Sequence, residues 1–247
     1  MYLENSAFLT PDYDGKLWRY FDLAKFFSLV LQNRLFFASL SLLRELDPLE
    51  GYWSKVDYYT QFPDDKDWDS ARQLSDNFAK ITFINSWHMN EYESAAMWRI
   101  YGEQIAVQTT FKRLITSFPE DDIFAGLVRY IDHRSELIHR PNMPTAYAPA
   151  MVKSKSYEHE KEVRVLLPDH PRKSLITQEG NNLEKLIEIY PYSGKGIYVR
   201  VDLRSMIETI YVAPKLPEWH LDLITNIMER VDLTDIPIRR STMVEMV

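Results

Sequence analysis

Period-two and period-3.6 stretches succeed one another along the chain without a regular strand-helix-strand repeat. After a turn at Asp12–Gly15, Leu17-Trp-Arg-Tyr20 reads as a short strand. Asp22 then caps a helix on which Leu23, Phe26, Phe27 and Val30 share one face. Leu35–Ser39 is the next strand, and Asp47, Pro48 and Gly51 close the unit with a turn. Residues 52–68 change composition abruptly, gathering Trp53, Tyr58, Tyr59 and the acidic run at Asp64, Asp65 and Asp67, and are expected to form an insertion or lid. A helix over 69–79 leads into 81–87, apolar on both faces and so a central strand. Asn90 and Glu93 read as a capping box for a helix over Glu91–Tyr101 that Gly102 stops. Gln104–Thr110 is a strand, Thr110 caps a helix over Phe111–Phe118, and Leu127–Ile131 is a further strand.

From Glu160 onward the alternation is strict. Glu160, Glu162 and Arg164 fall on one face; Val163, Val165 and Leu167 fall on the other. One face is built for a core. The other sets two carboxylates about 7 Å apart along a strand, with an arginine one step further. In the plain reading Arg164 neutralises its neighbours on a solvated face; in the functional one an acid is held in place for chemistry. Beyond, Pro168–Gly180 is a loop with a basic start (His170, Arg172, Lys173). Strands follow at Lys185–Tyr190, Gly196–Val201 and Thr209–Val212, then a helix over Glu218–Val231 and a strand at Ile236–Arg240. This order predicts an α+β fold: one domain over 1–247, with a central mixed, largely antiparallel sheet flanked by helices.

Composition narrows the function. With 247 residues, 45% of them apolar and 13% aromatic, the chain can bury a large core. A net charge of −7 supplies no general attraction for nucleic acid or anionic membrane, so such a partner needs a local basic patch. The absence of cysteine excludes disulfides, thiolate metal sites and thiol nucleophiles. Seven glycines, with neither G-x-G-x-x-G nor a P-loop among them, argue against the common dinucleotide and nucleoside triphosphate folds. The N-terminal residues lack a signal-like pattern and no apolar run reaches membrane-spanning length, so a cytoplasmic protein without a membrane partner is expected.

His88, Glu91, Tyr92 and Trp98 cluster just after a buried strand, where clefts form. No H-E-x-x-H pattern accompanies His88, which argues against a zinc site. The residue types present suit cleavage of an N-glycosidic bond, whose oxocarbenium-like transition state a carboxylate stabilises. Glu160 or Glu162 would hydrogen-bond the ribose, Arg19 would hold a phosphate, and Tyr20, Trp98 or Tyr101 would stack on a base, with His88 in the wall. Two rival readings use other residues. A metal-dependent nuclease would employ Asp47, Glu50 and Glu160. A non-catalytic module would grip RNA phosphates through Lys153, Lys155, Arg172 and Lys173.

Taken together, Trp18-Arg-Tyr-Phe21, Leu35-Phe-Phe-Ala-Ser39, Asp47-Pro-Leu-Glu-Gly51, Ser86-Trp-His88, Met97-Trp-Arg-Ile-Tyr101, Tyr157-Glu-His-Glu-Lys-Glu-Val-Arg164 and Ile210-Tyr-Val-Ala-Pro214 resemble the uncharacterised bacterial family called domain of unknown function twenty-nine seventy-one. The likeness spans nearly the whole chain and names no reaction. Arg19, Ser39 and Glu160-Lys-Glu162 are also similar, in type and order, to the pattern of the ADP-ribosyltransferase superfamily. That resemblance implies NAD as substrate, a macromolecular acceptor (protein or nucleic acid) and a role as toxin or defence effector. It would make Arg19 the NAD-contacting arginine, Ser39 the cleft serine, Glu162 the catalytic acid and Glu160 the residue that orients the acceptor.

Overall fold

A computed structural model describes residues 1–53, 55–61, 67–101, 104–138, 147–167, 195–241 and 243. The expected loop at 168–180, the strand at 185–190 and the side chains of Arg172 and Lys173 lie outside them. The architecture is α+β, with a large, mostly antiparallel sheet flanked by helices. Strand β1 (Lys16–Phe21) leads through Asp22 into helix α1 (Leu23–Gln32). The Asp22 side chain accepts from the Lys25 N–H, and Phe26, Leu29 and Val30 turn the apolar stripe inward. Asn33, in the left-handed region at φ 51°, ends the helix and passes the chain to β2 (Arg34–Ser39).

Short helices α2 (Leu40–Leu43) and α3 (Lys55–Gln61) and the longer α4 (Trp68–Ile81) follow, then β3 (Phe83–Met89). Within the segment expected as an insertion or lid, α3 is helical, and the buried Asp57 accepts a hydrogen bond from the Ile138 N–H. Helix α5 (Ala95–Tyr101) starts four residues later than the Asn90 cap predicts. Asn90 spends its side chain on the Tyr92 carbonyl, and Ser94 Oγ receives the Met97 N–H instead. Next come β4 (Ile105–Thr110), α6 (Phe111–Thr116) under the expected Thr110 cap, β5 (Phe124–Leu127) and β6 (Arg129–Ile131). The strand expected over 127–131 is thus divided at Val128, because β6 leaves the main sheet to pair in parallel with β7 (Val152–Ser154). The rest comprises β8 (Glu162–Leu166), β9 (Gly196–Arg200), α7 (Leu203–Met206), β10 (Thr209–Val212), α8 (Glu218–Arg230) and β11 (Ile238–Arg240).

The feature that shapes the site is a split in the sheet. One edge of β3 is paired along its length by β8, from Ile84↔Leu166 to His88↔Glu162. The other edge is shared by two strands that never meet. β1 takes only its end (Leu17↔Met89, Trp18↔His88) and β2 only its beginning (Ala38↔Ile84, Ser39↔Phe83). Between them side chains do what a strand would otherwise do: Asn85 Nδ2 donates to the Phe36 carbonyl at 2.9 Å and Arg19 Nη1 to the Ser86 carbonyl at 2.6 Å. Alternation places Arg19 with the apolar Leu17 and Phe21, and the split gives its guanidinium a way out of the core.

Below the sheet, Leu17, Phe37, Trp87, Val107, Val163 and Val165 form one core with α1, α6 and α8. On the opposite face, α2 and α4 cover Ile84 and Leu166, and α5 packs Met97 and Trp98 onto Trp18 and Tyr20. Between those two coverings the face stays open as a cleft of about 980 Å³.

Candidate active site: paired glutamates in a split-sheet cleft

Of the side chains singled out from sequence, Arg19, Tyr20, His88, Tyr101, Glu160 and Glu162 line this one cleft. Ser39 and Trp98 do not. Ser39 is fully buried, and its Oγ caps α2 by accepting the Leu42 N–H at 3.2 Å. Trp98 is turned into the α5 packing, edge-on to Tyr20 at 5.1 Å between ring centres, with its indole N–H on Glu93. A strand end followed by a short helix needs such a cap and such an anchor, which accounts for both residues without a ligand.

The two glutamates converge by a route the alternation does not predict. Glu160 belongs not to the strand but to a 3-10 turn over Lys155–Glu160, and Lys161 (φ 42°, ψ 53°) ends that turn in the left-handed region. The Met89 N–H donates to the Lys161 carbonyl and pins the bend. Instead of lying side by side along a strand, the carboxylates fold toward one ammonium: Lys153 Nζ is 2.5 Å from Glu160 Oε2 and 3.2 Å from Glu162 Oε1. Arg164 holds the second oxygen of Glu162 at 2.6 Å and grips Glu50 with both terminal nitrogens, at 2.6 and 3.1 Å. Tyr101 donates to Glu160 Oε1 at 2.8 Å, the Glu162 N–H donates to Tyr130 Oη, and the Lys153 ammonium sits 4.5 Å from the centre of the Tyr157 ring.

This surrounding pushes two like groups apart. Burial alone would raise the Glu162 carboxyl, but the charges of Arg164 and Lys153 outweigh it and hold Glu162 well below the ordinary carboxylate range. Burial raises the Glu160 carboxyl, and its hydrogen bond and repulsion with Glu162 add to the rise. One member is thus a firmly ionised carboxylate and the other an acid that exchanges its proton closer to neutrality, the division of labour that acid-base chemistry uses. Burial pulls Arg19 down to about 10 against the attraction of Glu162, so it stays cationic at neutral pH. His88 is lowered by burial, against the bond from its Nδ1 to the Glu160 carbonyl at 2.6 Å. That carbonyl can only accept, so the proton of a neutral His88 is on Nδ1. Burial also raises Tyr101, and the charge and hydrogen bond of Glu160 raise it further, so its hydroxyl is a donor throughout the working range.

Asp47 and Glu50 line the same cleft as Glu160, the third acid of the nuclease reading. Glu50, however, is committed to Arg164, and among the described residues no three acids or imidazoles are grouped as a metal ion requires. The buried Asp47 accepts the Leu49 N–H on Oδ1, and its Oδ2 has no partner among the described residues. Of the basic residues assigned to RNA, Lys153 is buried within the glutamate cluster and the exposed Lys155 is paired with Glu136. Tyr130, Tyr157 and the Glu50–Arg164 pair also surround the glutamates. Tyr130 and Tyr157 carry no local pattern that marks a site, and nothing in the chain ties position 50 to position 164.

Comparison with known proteins finds no matching family, no matching curated protein and no matching solved structure. Among the described residues no helix is long and apolar enough to cross a membrane.

Proposed function

We propose that this protein breaks the N-glycosidic bond of NAD and transfers the ADP-ribosyl group to a macromolecular acceptor, protein or nucleic acid. The observation that carries the reading is the Glu160–Glu162 pair, one carboxyl held well below the ordinary range and the other raised above it, in the same cleft as Arg19 and Tyr101. In the step envisaged, the bond between ribose and nicotinamide breaks with its electron pair leaving on the ring nitrogen, which neutralises the pyridinium charge. Positive charge develops on the ribose, and the Glu162 carboxylate stabilises it in a site where the field is weakly screened. A lone pair of the acceptor then bonds to the anomeric carbon, and its proton passes to Glu160. Arg19, cationic and fixed in the split, supports the diphosphate.

The sequence pattern of Arg19 followed by a late E-x-E supports the same reading, although Ser39, the third member of that pattern, caps a helix instead. Nicotinamide release from NAD, measured for the wild type and for Glu162→Gln with protein and nucleic-acid acceptors supplied, tests it. The expected result is release by the wild type, reduced about 10²- to 10³-fold in the variant. No release from the wild type under any of these conditions removes the proposal.

A further inference from the structure

The cleft extends beyond the glutamates to the far edge of the sheet, where β2 and β9 pair in register as Arg34↔Arg200, Phe36↔Tyr198 and Ala38↔Gly196. Alternation turns Leu35, Phe37 and Ser39 into the core, and Arg34, Phe36 and Tyr198 into the cleft. The Phe36 and Tyr198 rings lie 5.3 Å apart between centres, tilted toward one another, and Tyr198 is 51% exposed. Their seat is specific. Gly196 (φ +153°) brings bare backbone under the Phe36 ring, and a Cβ there would stand 2.5 Å from Phe36 Cζ and 2.3 Å from the Phe37 carbonyl oxygen. An aromatic surface is thus held open to the cleft by a position that excludes any side chain.

The charges beside it are unequal in what they leave free. Arg200 is paired with Glu120 at 2.9 Å and Lys25 with Asp22 at 2.8 Å, while Arg19 is anchored through Nη1 on the Ser86 carbonyl, toward the glutamate end of the cleft. Arg34 is exposed and has no ion-pair partner among the described residues. A free guanidinium next to an aromatic pair with one exposed ring, Tyr198, and one half-buried ring, Phe36, is a combination that can bind a phosphate together with a stacked base. Across the sheet β2 lies two strand spacings from β8 and β9 three, roughly 9 to 14 Å, so this surface and the glutamate pair act on different parts of one ligand.

We infer that Arg34, Phe36 and Tyr198 form the subsite for the second nucleotide half of the substrate, with the base on the Phe36–Tyr198 surface and the adjoining phosphate on Arg34. The inference rests on the proposed function for the identity of the first half, the one cleaved beside Glu162. On its own terms it requires only that the cleft bind a nucleoside diphosphate.

Calorimetric titration of the full chain with ADP tests it, with ribose 5-phosphate as the probe that lacks a base. Wild type is expected to bind ADP. Tyr198→Ala should weaken ADP about tenfold and leave ribose 5-phosphate unaffected. Arg34→Ala should weaken both probes about tenfold and flatten the dependence on salt. Both side chains are exposed, so the variants are expected to fold, which thermal melts verify. Failure of the wild type to bind millimolar ADP, or ADP affinity indifferent to both substitutions, overturns the subsite. A single-stranded oligonucleotide that binds more tightly than ADP through the same two residues also overturns it, by reassigning the surface to a nucleic-acid acceptor. Should nicotinamide release fail while ADP binding responds as expected, the transferase reading falls and the subsite stands.

Discussion

Replacing Lys153 by methionine removes the cation on which the two glutamates converge and keeps most of the side-chain volume. At 2.5 and 3.2 Å, and with an effective dielectric of about 20, the two contacts amount to roughly 5–7 kcal/mol each before solvation is considered. Desolvating an ammonium and two carboxylates takes back most of this, but removing one partner leaves the others buried without compensation, a loss of about 3–5 kcal/mol. Arg164 remains for Glu162, so the lower end, about 3 kcal/mol at pH 7, is expected. The effect must depend on pH, and its sign is fixed. Without the ammonium the folded-state pKa values of Glu160 and Glu162 both rise, so the folded variant binds protons more readily than the folded wild type. Stability that requires a raised carboxyl pKa is present at low pH and lost as pH climbs through the folded value, so the destabilisation should be smaller at pH 5 than at pH 7. Urea unfolding at both pH values measures it. A loss below about 1 kcal/mol at pH 7, as for an exposed ion pair, would refute the picture of a buried cluster, as would a loss identical at both pH values.

Other consequences follow from the same geometry. If Glu160 takes the acceptor's proton, it must be ionised to act, so the rate of transfer should climb with pH through a pKa above the ordinary value for glutamate. Glu160→Gln should flatten that limb and lower transfer about 10²-fold, as read from a pH-rate profile for each protein. Ser39→Ala should cost about 1 kcal/mol of stability through loss of the α2 cap and leave nicotinamide release unchanged; a large loss of activity in a variant that melts normally would return Ser39 to the site.

Much of the fold can be read from local pattern because local pattern caused it. The Asp22 and Thr110 caps, the period-3.6 stripe of α1 and the alternation that buries Val163 and Val165 each act within a few residues, and each takes the form expected of it. Features decided by distant partners escape such a reading. The strand expected from Glu160 begins instead at Glu162, because Met89 fixes the Lys161 carbonyl and bends the chain there. The predicted strand over 127–131 breaks because β7 recruits its second half. Of the site, Arg19, His88, Tyr101 and both glutamates were legible as chemistry-bearing types near strand ends. Ser39 and Trp98 carried the same appearance and serve the packing. The reason the cleft exists is not local at all, since the split depends on β1 and β2 each claiming a different end of β3.

The central claim is that Glu162, held ionised by Arg164 and Lys153, stabilises charge on a ribose as nicotinamide departs. Quantifying nicotinamide liberated from NAD by the wild type and by Glu162→Gln, each shown by its melting curve to be folded, addresses that claim most directly. The account predicts release by the wild type and a fall of about 10²-fold or more in the variant. Equal release by the two proteins, or none by the wild type with acceptors present, contradicts it.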